Sequence, residues 1–181
     1  QLVHTSPGVR EELATNGILT LFLELLLCET DIQLLVMVLE ALALWHSFDQ
    51  ELVEATTINN TYISAILNVF TQADGVALAQ ILTPLIKLMD KSRKINRALA
   101  ASGLLPPLIG HLHNSDAITR LQLVQLTRLV YKDHPRPKVL IAEYDLAGEL
   151  RQLLARPGGS MVLVNQLIRD LLKALDINSL L

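Results

Sequence analysis

Apolar residues return every three or four positions through most of the chain, and the pattern breaks at regular intervals. In RALAASGLLPPLIGHL, from Arg97 to Leu112, a short apolar helix stops at Gly103 and a second apolar segment starts at once. ELATNGILTLFLELL from Glu12 and VLIAEYDLAGELRQLL from Val139 repeat that punctuation, and ELVEATTINNTYISAIL from Glu51 is a weaker copy. Leu13, Leu99 and Leu140 fall on one another. The first interval is 86 residues, twice 43, and the second is 41. A period of that length is the mark of stacked helical repeats.

Each period predicts a short helix, a second of about ten residues and a longer third. In the first unit, 7–48, Pro7 suits a helix start and Gly17 a left-handed stop. The second helix is expected over 18–28 and the third over 31–46, with Thr30 as its cap. The second unit, 49–90, predicts helices over 50–56, over 62–71 capped by Asn60 or Thr61, and over 76–89 capped by Asp74 and kinked at Pro84. In the third unit, 91–133, the first helix ends at Gly103. Pro106 and Pro107 are tolerated in the first turn of the next helix, Asn114, Ser115 and Asp116 form a break, and a long helix follows over 117–131. The fourth unit, 134–181, predicts helices over 137–143, 147–154 and 161–175. RPGGS, from Arg156 to Ser160, is a loop, and the ending NSLL is expected to fold back on the last helix. No longer linker interrupts the pattern, so 1–181 reads as one domain.

The third helices explain the repetition. QLLVMVLEALALW, from Gln33 to Trp45, is apolar nearly all round and must be covered by several neighbours. Stacked three-helix units supply them. A small residue before ILTLFLELL and LLPPLIGHL, then a polar break, then the long helix, resembles the armadillo family, whose relatives are the two-helix HEAT repeats. The resemblance implies an all-α fold, a right-handed α-solenoid of about four repeats.

A narrower resemblance lies in LVYKDHPRPKVLIAEYDLAGELRQLL, from Leu129 to Leu154, and LLKALDINSLL, from Leu171 to Leu181. These are similar to the tail of fungal septation-initiation and mitotic-exit kinases and of plant epsilon-type MAP kinase kinase kinases. That group carries an armadillo-like region far downstream of its kinase domain. The resemblance implies a non-catalytic regulatory region of a Ser/Thr kinase in cytokinesis or mitotic exit. It makes a small GTPase and spindle-pole scaffolds the expected partners. The expected location is cytoplasmic, at a spindle pole body, centrosome or division site. The chain opens at Gln1 without methionine, which fits a segment excised from something longer. The competing reading is a free-standing armadillo adaptor or transport scaffold without a kinase domain.

Composition narrows the field. Hydrophobic residues make up 51% of the 181 and aromatics 4%, a leucine-rich balance that favours helix. No apolar run reaches the roughly 20 residues of a membrane span; the best, 18–27, contains Glu24. Cys28 has no second cysteine to pair with. It reads as a small buried hydrophobe of a reducing compartment, where the Asn59-Asn60-Thr61 sequon goes unused. There is no Gly-rich phosphate loop and no HRD or DFG signature, so the chain itself is expected to be non-catalytic and to need no cofactor. His111 and His113 alternate at a helix end without a third ligand, poor spacing for a metal.

The net charge of −3 hides an asymmetry. Residues 1–84 carry −9, residues 85–138 carry +7 and the remainder −1. In armadillo proteins the third helices line a concave groove, and the nuclear-import members place an asparagine late in that helix with a tryptophan one turn earlier. Here LIKL and LTRL put Lys87 and Arg128 at the asparagine position, and Trp45 is the single tryptophan. The departure implies a groove that repels basic import signals and prefers acidic or phosphorylated segments. Lys132 lies four residues beyond Arg128 on the same face. With Lys91 and Arg120, these are the candidate protein-binding residues. The bland alternative is a solvated basic face, or one that neutralises the acidic first half. Nucleic acid is disfavoured by the acidic total and the few aromatics. Unit one is very apolar, which predicts that upstream sequence or a second copy of the chain, as in a homodimer, covers its outer face.

Overall fold

The structure, a computed structural model, describes residues 6–28, 31–114, 116–155 and 162–180. Among the described residues there are twelve α-helices and no strand: α1 (Pro7–Thr15), α2 (Ile18–Cys28), α3 (Ile32–Trp45), α4 (Gln50–Thr57), α5 (Asn60–Gln72), α6 (Gly75–Lys91), α7 (Arg93–Ala101), α8 (Leu105–Asn114), α9 (Ala117–Asp133), α10 (Pro137–Tyr144), α11 (Leu146–Ala155) and α12 (Val162–Leu180). No described helix is long and apolar enough to cross a membrane.

Local chemistry sets the boundaries. Asp31 caps α3 by accepting from the Gln33 N–H at 2.8 Å; Thr30, expected in that role, lies outside the described residues. Asn59, not Asn60 or Thr61, caps α5, accepting from the Thr61 N–H at 2.8 Å. Its extended backbone (φ −134°, ψ 138°) is the conformation a cap requires. Asp116 caps α9 through the N–H groups of Ile118 and Thr119 and the Thr119 hydroxyl. Gly17 (φ 78°) and Gly103 (φ 96°) take the left-handed turn that stops α1 and α7. Pro106 and Pro107 sit in the first turn of α8, and α6 runs on through a buried Pro84 to Lys91.

One expectation changes, and two reach beyond the described residues. Cys28 is exposed rather than buried, because it ends α2 and spends its thiol on the Glu24 carbonyl. Of NSLL, Asn178 to Leu180 continue α12, and Leu181 lies outside the described residues. RPGGS lies outside the described residues.

The chain divides into two compact units, Gln1–Ala98 and Leu99–Leu181, with the division inside α7. In the first, α3 packs on α6 and α2 on α5. The Gln33 amide donates to the Gln80 side-chain oxygen at 3.0 Å near the starts of α3 and α6, and Lys91 donates to the Ser47 hydroxyl near their ends. The two long helices therefore run side by side in the same direction. A shift of 43 residues carries Asp31 onto Asp74, the N-cap residues, and Leu35, Leu39, Leu42 and Trp45 onto Leu78, Leu82, Leu85 and Leu88, all buried. In the second unit α9 packs on α8 and α12, and α11 on α12. The Tyr131 hydroxyl donates to the Ala174 carbonyl at 3.4 Å across α9 and α12. The same long-on-long pairing thus closes both units.

Burying a leucine contributes about 1.5–3 kcal/mol, and cores of this kind are sensitive to lost volume. Leu39, fully buried on α3, sits at the α3–α6 register and should cost about 2–5 kcal/mol as alanine. Gly103 tests the backbone instead: a Cβ there meets nothing within 4 Å, so the obstacle is φ alone. Gly103→Val is expected to lower the unfolding free energy by about 1 kcal/mol or more in urea denaturation.

Candidate protein-binding site

The packing of α3 on α6 leaves a shallow groove of about 450 Å³ between them. Ala43, Leu44 and Pro84 line it with Glu40 and Ser47 from α3 and Lys87 and Lys91 from α6. Glu40, Ser47, Lys87 and Lys91 are all exposed. Pro84, Lys87 and Lys91 fall on one face because their spacing of three and four residues matches the helical turn. Lys91 is tethered to Ser47, whereas Lys87 stands beside a carboxylate-bearing wall. The groove is thus of mixed charge, two cations opposite one anion.

In the second unit Gln125, Arg128 and Lys132 form an exposed stripe on α9. Arg120 is half-buried and donates from Nε to the Leu112 carbonyl at 3.3 Å, steadying the end of α8. Counting from the N-cap aspartates, Lys87 is thirteen residues beyond Asp74 and Arg128 twelve beyond Asp116. By that count Arg128 corresponds to Ile86, and Lys87 to the buried Leu129. The match between LIKL and LTRL is therefore offset by one residue, about 100° around the helix. Both side chains are exposed, but they are not the same position of the repeat.

A second polar site had no expectation attached to it. Glu54 on α4 is 3% exposed. Its Oε1 accepts from the Ser92 hydroxyl at 2.6 Å and the Gln50 amide at 3.0 Å, and its Oε2 lies 2.9 Å from the Lys94 ammonium. His46, also buried, places Nε2 3.7 Å from Oε1. Ser92 in turn accepts from the Ile95 N–H and so caps α7. Burial pushes the Glu54 carboxyl up, but the hydrogen bonds from Ser92, Lys94 and Gln50, with the Lys94 charge, outweigh it and bring it from 4.5 down to about 2. Val53 and Thr57 are buried on the neighbouring strip of α4, but the sequence alone does not mark Glu54 as paired. Lys94, forty residues on, belongs to the basic block, so part of that block does neutralise the acidic first half. Of the histidines weighed as metal ligands, His113 instead donates to Glu149 at 2.6 Å and joins α8 to α11.

No family model matches the sequence, and no solved structure matches it. Similar proteins do exist. MAP3K epsilon protein kinase 1 of Brassica napus is 39% identical over 187 residues, covering 99% of this chain and 14% of its own length. MAP3K epsilon protein kinase 2 of Arabidopsis thaliana is 38% identical over 99% of the chain and 13% of its own length. The chain is homologous to a segment of these kinases. Cytokinesis protein sepH of Emericella nidulans is 28% identical over 98% of the chain and 13% of its own length. The chain therefore spans about 14% of the kinase relatives it matches, and the similarity runs through its whole length rather than the HPRPK region alone.

The Glu54 cluster predicts how stability depends on pH. Its carboxyl is held below its ordinary range in the folded chain, so its contribution is complete above about 4.5 and is lost as pH falls toward about 2. Glu54→Gln should lose about 1–3 kcal/mol at neutral pH. The gap between variant and parent should close between pH 4.5 and 2, read as melting temperature against pH. A gap that stays constant across that range would remove the carboxylate from the account.

Proposed function

We propose that this chain is a regulatory, protein-binding region of a larger signalling protein, a Ser/Thr kinase acting in cytokinesis or mitotic exit. The observation that carries it is the alignment of 99% of the chain with a segment of MAP3K epsilon kinases. The similarity to a protein named for cytokinesis supports the process. The reading includes a place at the division site or spindle pole, with a small GTPase or a spindle-pole scaffold among the partners. It also includes a right-handed solenoid of four armadillo-like repeats in one domain. The 43-residue shift between α3 and α6 and the 42-residue shift between the caps of α6 and α9 support that fold.

The partner segment is acidic or phosphorylated and lies in the α3–α6 groove against Lys87 and Lys91. Arg128 and Lys132, with Arg120 behind them, form a second contact of the same kind on α9. An acidic group reaching Lys87 gains a charge-assisted hydrogen bond of roughly 1.5–3 kcal/mol when shielded from water, and much less when exposed.

The test is fluorescence anisotropy with ten-residue peptides, each made with a central serine, phosphoserine or glutamate. Lys87→Glu with Lys91→Glu is expected to weaken phosphoserine-peptide binding tenfold or more and leave the melting temperature nearly unchanged. Binding by the parent should weaken as salt rises. Arg128→Glu with Lys132→Glu, measured separately, reports the α9 contact. Unchanged affinity in both double variants would remove both surfaces from the proposal.

A further inference from the structure

The turn between α3 and α4 sets a hydroxyl in the α3–α6 groove. α3 ends at Trp45 and α4 begins at Gln50. Between them Ser47 is exposed, lines the groove with Glu40, Lys87 and Lys91, and accepts a hydrogen bond from the Lys91 ammonium. Two other serines of the first unit are placed differently. Ser92 is buried and donates to Glu54. Ser64 lies inside α5, where an enzyme reaching its backbone would have to unwind the helix. A turn opens locally at far lower cost than a helix packed on a core. The residues after Ser47 are Phe48, Asp49, Gln50 and Glu51, all exposed. An exposed serine followed closely by two carboxylates matches the charge pattern that a Ser/Thr kinase with a basic substrate cleft selects.

We propose that Ser47 is a phosphorylation site whose phosphate lies in the α3–α6 groove against Lys91 and Lys87. The step is phosphoryl transfer from ATP by a protein kinase. Ser47 Oγ forms a bond to the γ-phosphorus, and the bond from that phosphorus to the bridging oxygen breaks. ADP leaves with the electron pair, and the hydroxyl proton passes to the kinase's base. The product carries about −1.5 to −2 charge and three strong acceptor oxygens where a neutral hydroxyl stood. Lys91 already donates to Oγ, so its ammonium is in place for the phosphate. Lys87, one turn back on the same face of α6, is the second cation of the lining.

Three terms oppose a dianion at this place. Glu40 stands in the same lining, Asp49 follows in the turn, and Ser47 comes after the negative end of α3, worth roughly half a charge. The last carbonyls of α3 are already matched, however: Leu42 by the His46 N–H, Leu44 by the Ser47 N–H, and Trp45 by the N–H groups of Phe48 and Asp49. Little of that half charge is left to face the phosphate. Modification also removes the bond from the Ser47 hydroxyl to the Ala43 carbonyl, a long one at 3.3 Å. The direct contact with Lys91 decides the balance, because charge-assisted bonds form at contact while separated exposed charges are screened. The phosphate fills the groove from within and competes with an acidic segment for the same two lysines. That competition rests on the groove function proposed above; the site itself does not.

Two measurements test it. Between Arg10 and Lys87 the chain has no lysine or arginine, so a glutamate-directed protease is used, which releases Ala41 to Glu51. Phosphate on that peptide is mapped by mass spectrometry in the natural protein taken from its own dividing and resting cells. Phosphate on Ser47 is expected; recovery of the peptide only in unmodified form from both would overturn the site. In the second measurement phosphoserine is built into this chain at position 47 through an expanded genetic code, and its phosphorus NMR signal is titrated. The second ionisation is expected below its ordinary value of about 6, and should return to that value when Lys87→Gln and Lys91→Gln are added. A titration indifferent to both lysines, or a phosphoserine chain that no longer folds, would overturn the placement in the groove. Affinity for the phosphoserine peptides is expected to fall tenfold or more on the modified chain. If the parent chain binds no acidic peptide while the phosphate still titrates low, the Ser47 site stands and the peptide reading of the groove fails.

Discussion

The contact of α3 with α6 is the constraint on which the first unit rests. α3 buries Leu35, Val36, Val38, Leu39, Leu42, Ala43 and Trp45, more sides of a helix than one neighbour covers. A helix of that kind cannot be stable alone in water, because its propensity is worth far less than its burial. It becomes stable when α2 and α4 enclose it locally and α6 packs along it. The two long helices run the same way, their caps 43 residues apart. The Gln33–Gln80 bond fixes that register at one end and the Lys91–Ser47 bond at the other.

Against this apolar frame, Glu54 is the costly group. Burying a carboxylate is unfavourable unless its oxygens are matched by donors. Here Gln50 comes from one turn earlier on α4, while Ser92 and Lys94 come from the start of α7. The pairing ties α4 to the start of α7 and contributes specificity that leucine contacts do not. It also lowers the number of free cations. Lys94 is spent on Glu54 and Arg120 in part on the Leu112 carbonyl, so the +7 block overstates the positive surface left for partners. Lys87 in the first unit and Arg128 and Lys132 in the second remain exposed.

Much of the helix order was legible in the sequence, for reasons that are local. Proline at a first turn, a left-handed glycine and an aspartate cap each act within four residues, so Pro7, Gly17 and Asp74 could be read without knowing the fold. Asn59 was missed because three adjacent polar residues compete for one cap, and the choice turns on the extended backbone that Asn59 adopts. The equivalence of Lys87 and Arg128 came from matching LIKL to LTRL. Leucine recurs so often that a one-residue slip still matches leucine to leucine; the caps, which do not recur within a helix, remove the ambiguity. Glu54 was hidden for a different reason. Its acceptors are satisfied by residues 38 and 40 positions away, and no pattern within α4 distinguishes a paired buried carboxylate from an exposed one.

The exposed surface of α3 changes chemistry within a quarter-turn of the helix. Toward α6 the surface is a mixed-charge groove with exposed lysines. Beside it, about a quarter-turn around the helix, Met37 and Phe48 are exposed with Ala41 half-buried between them, and water there is displaced with net gain only by another apolar surface.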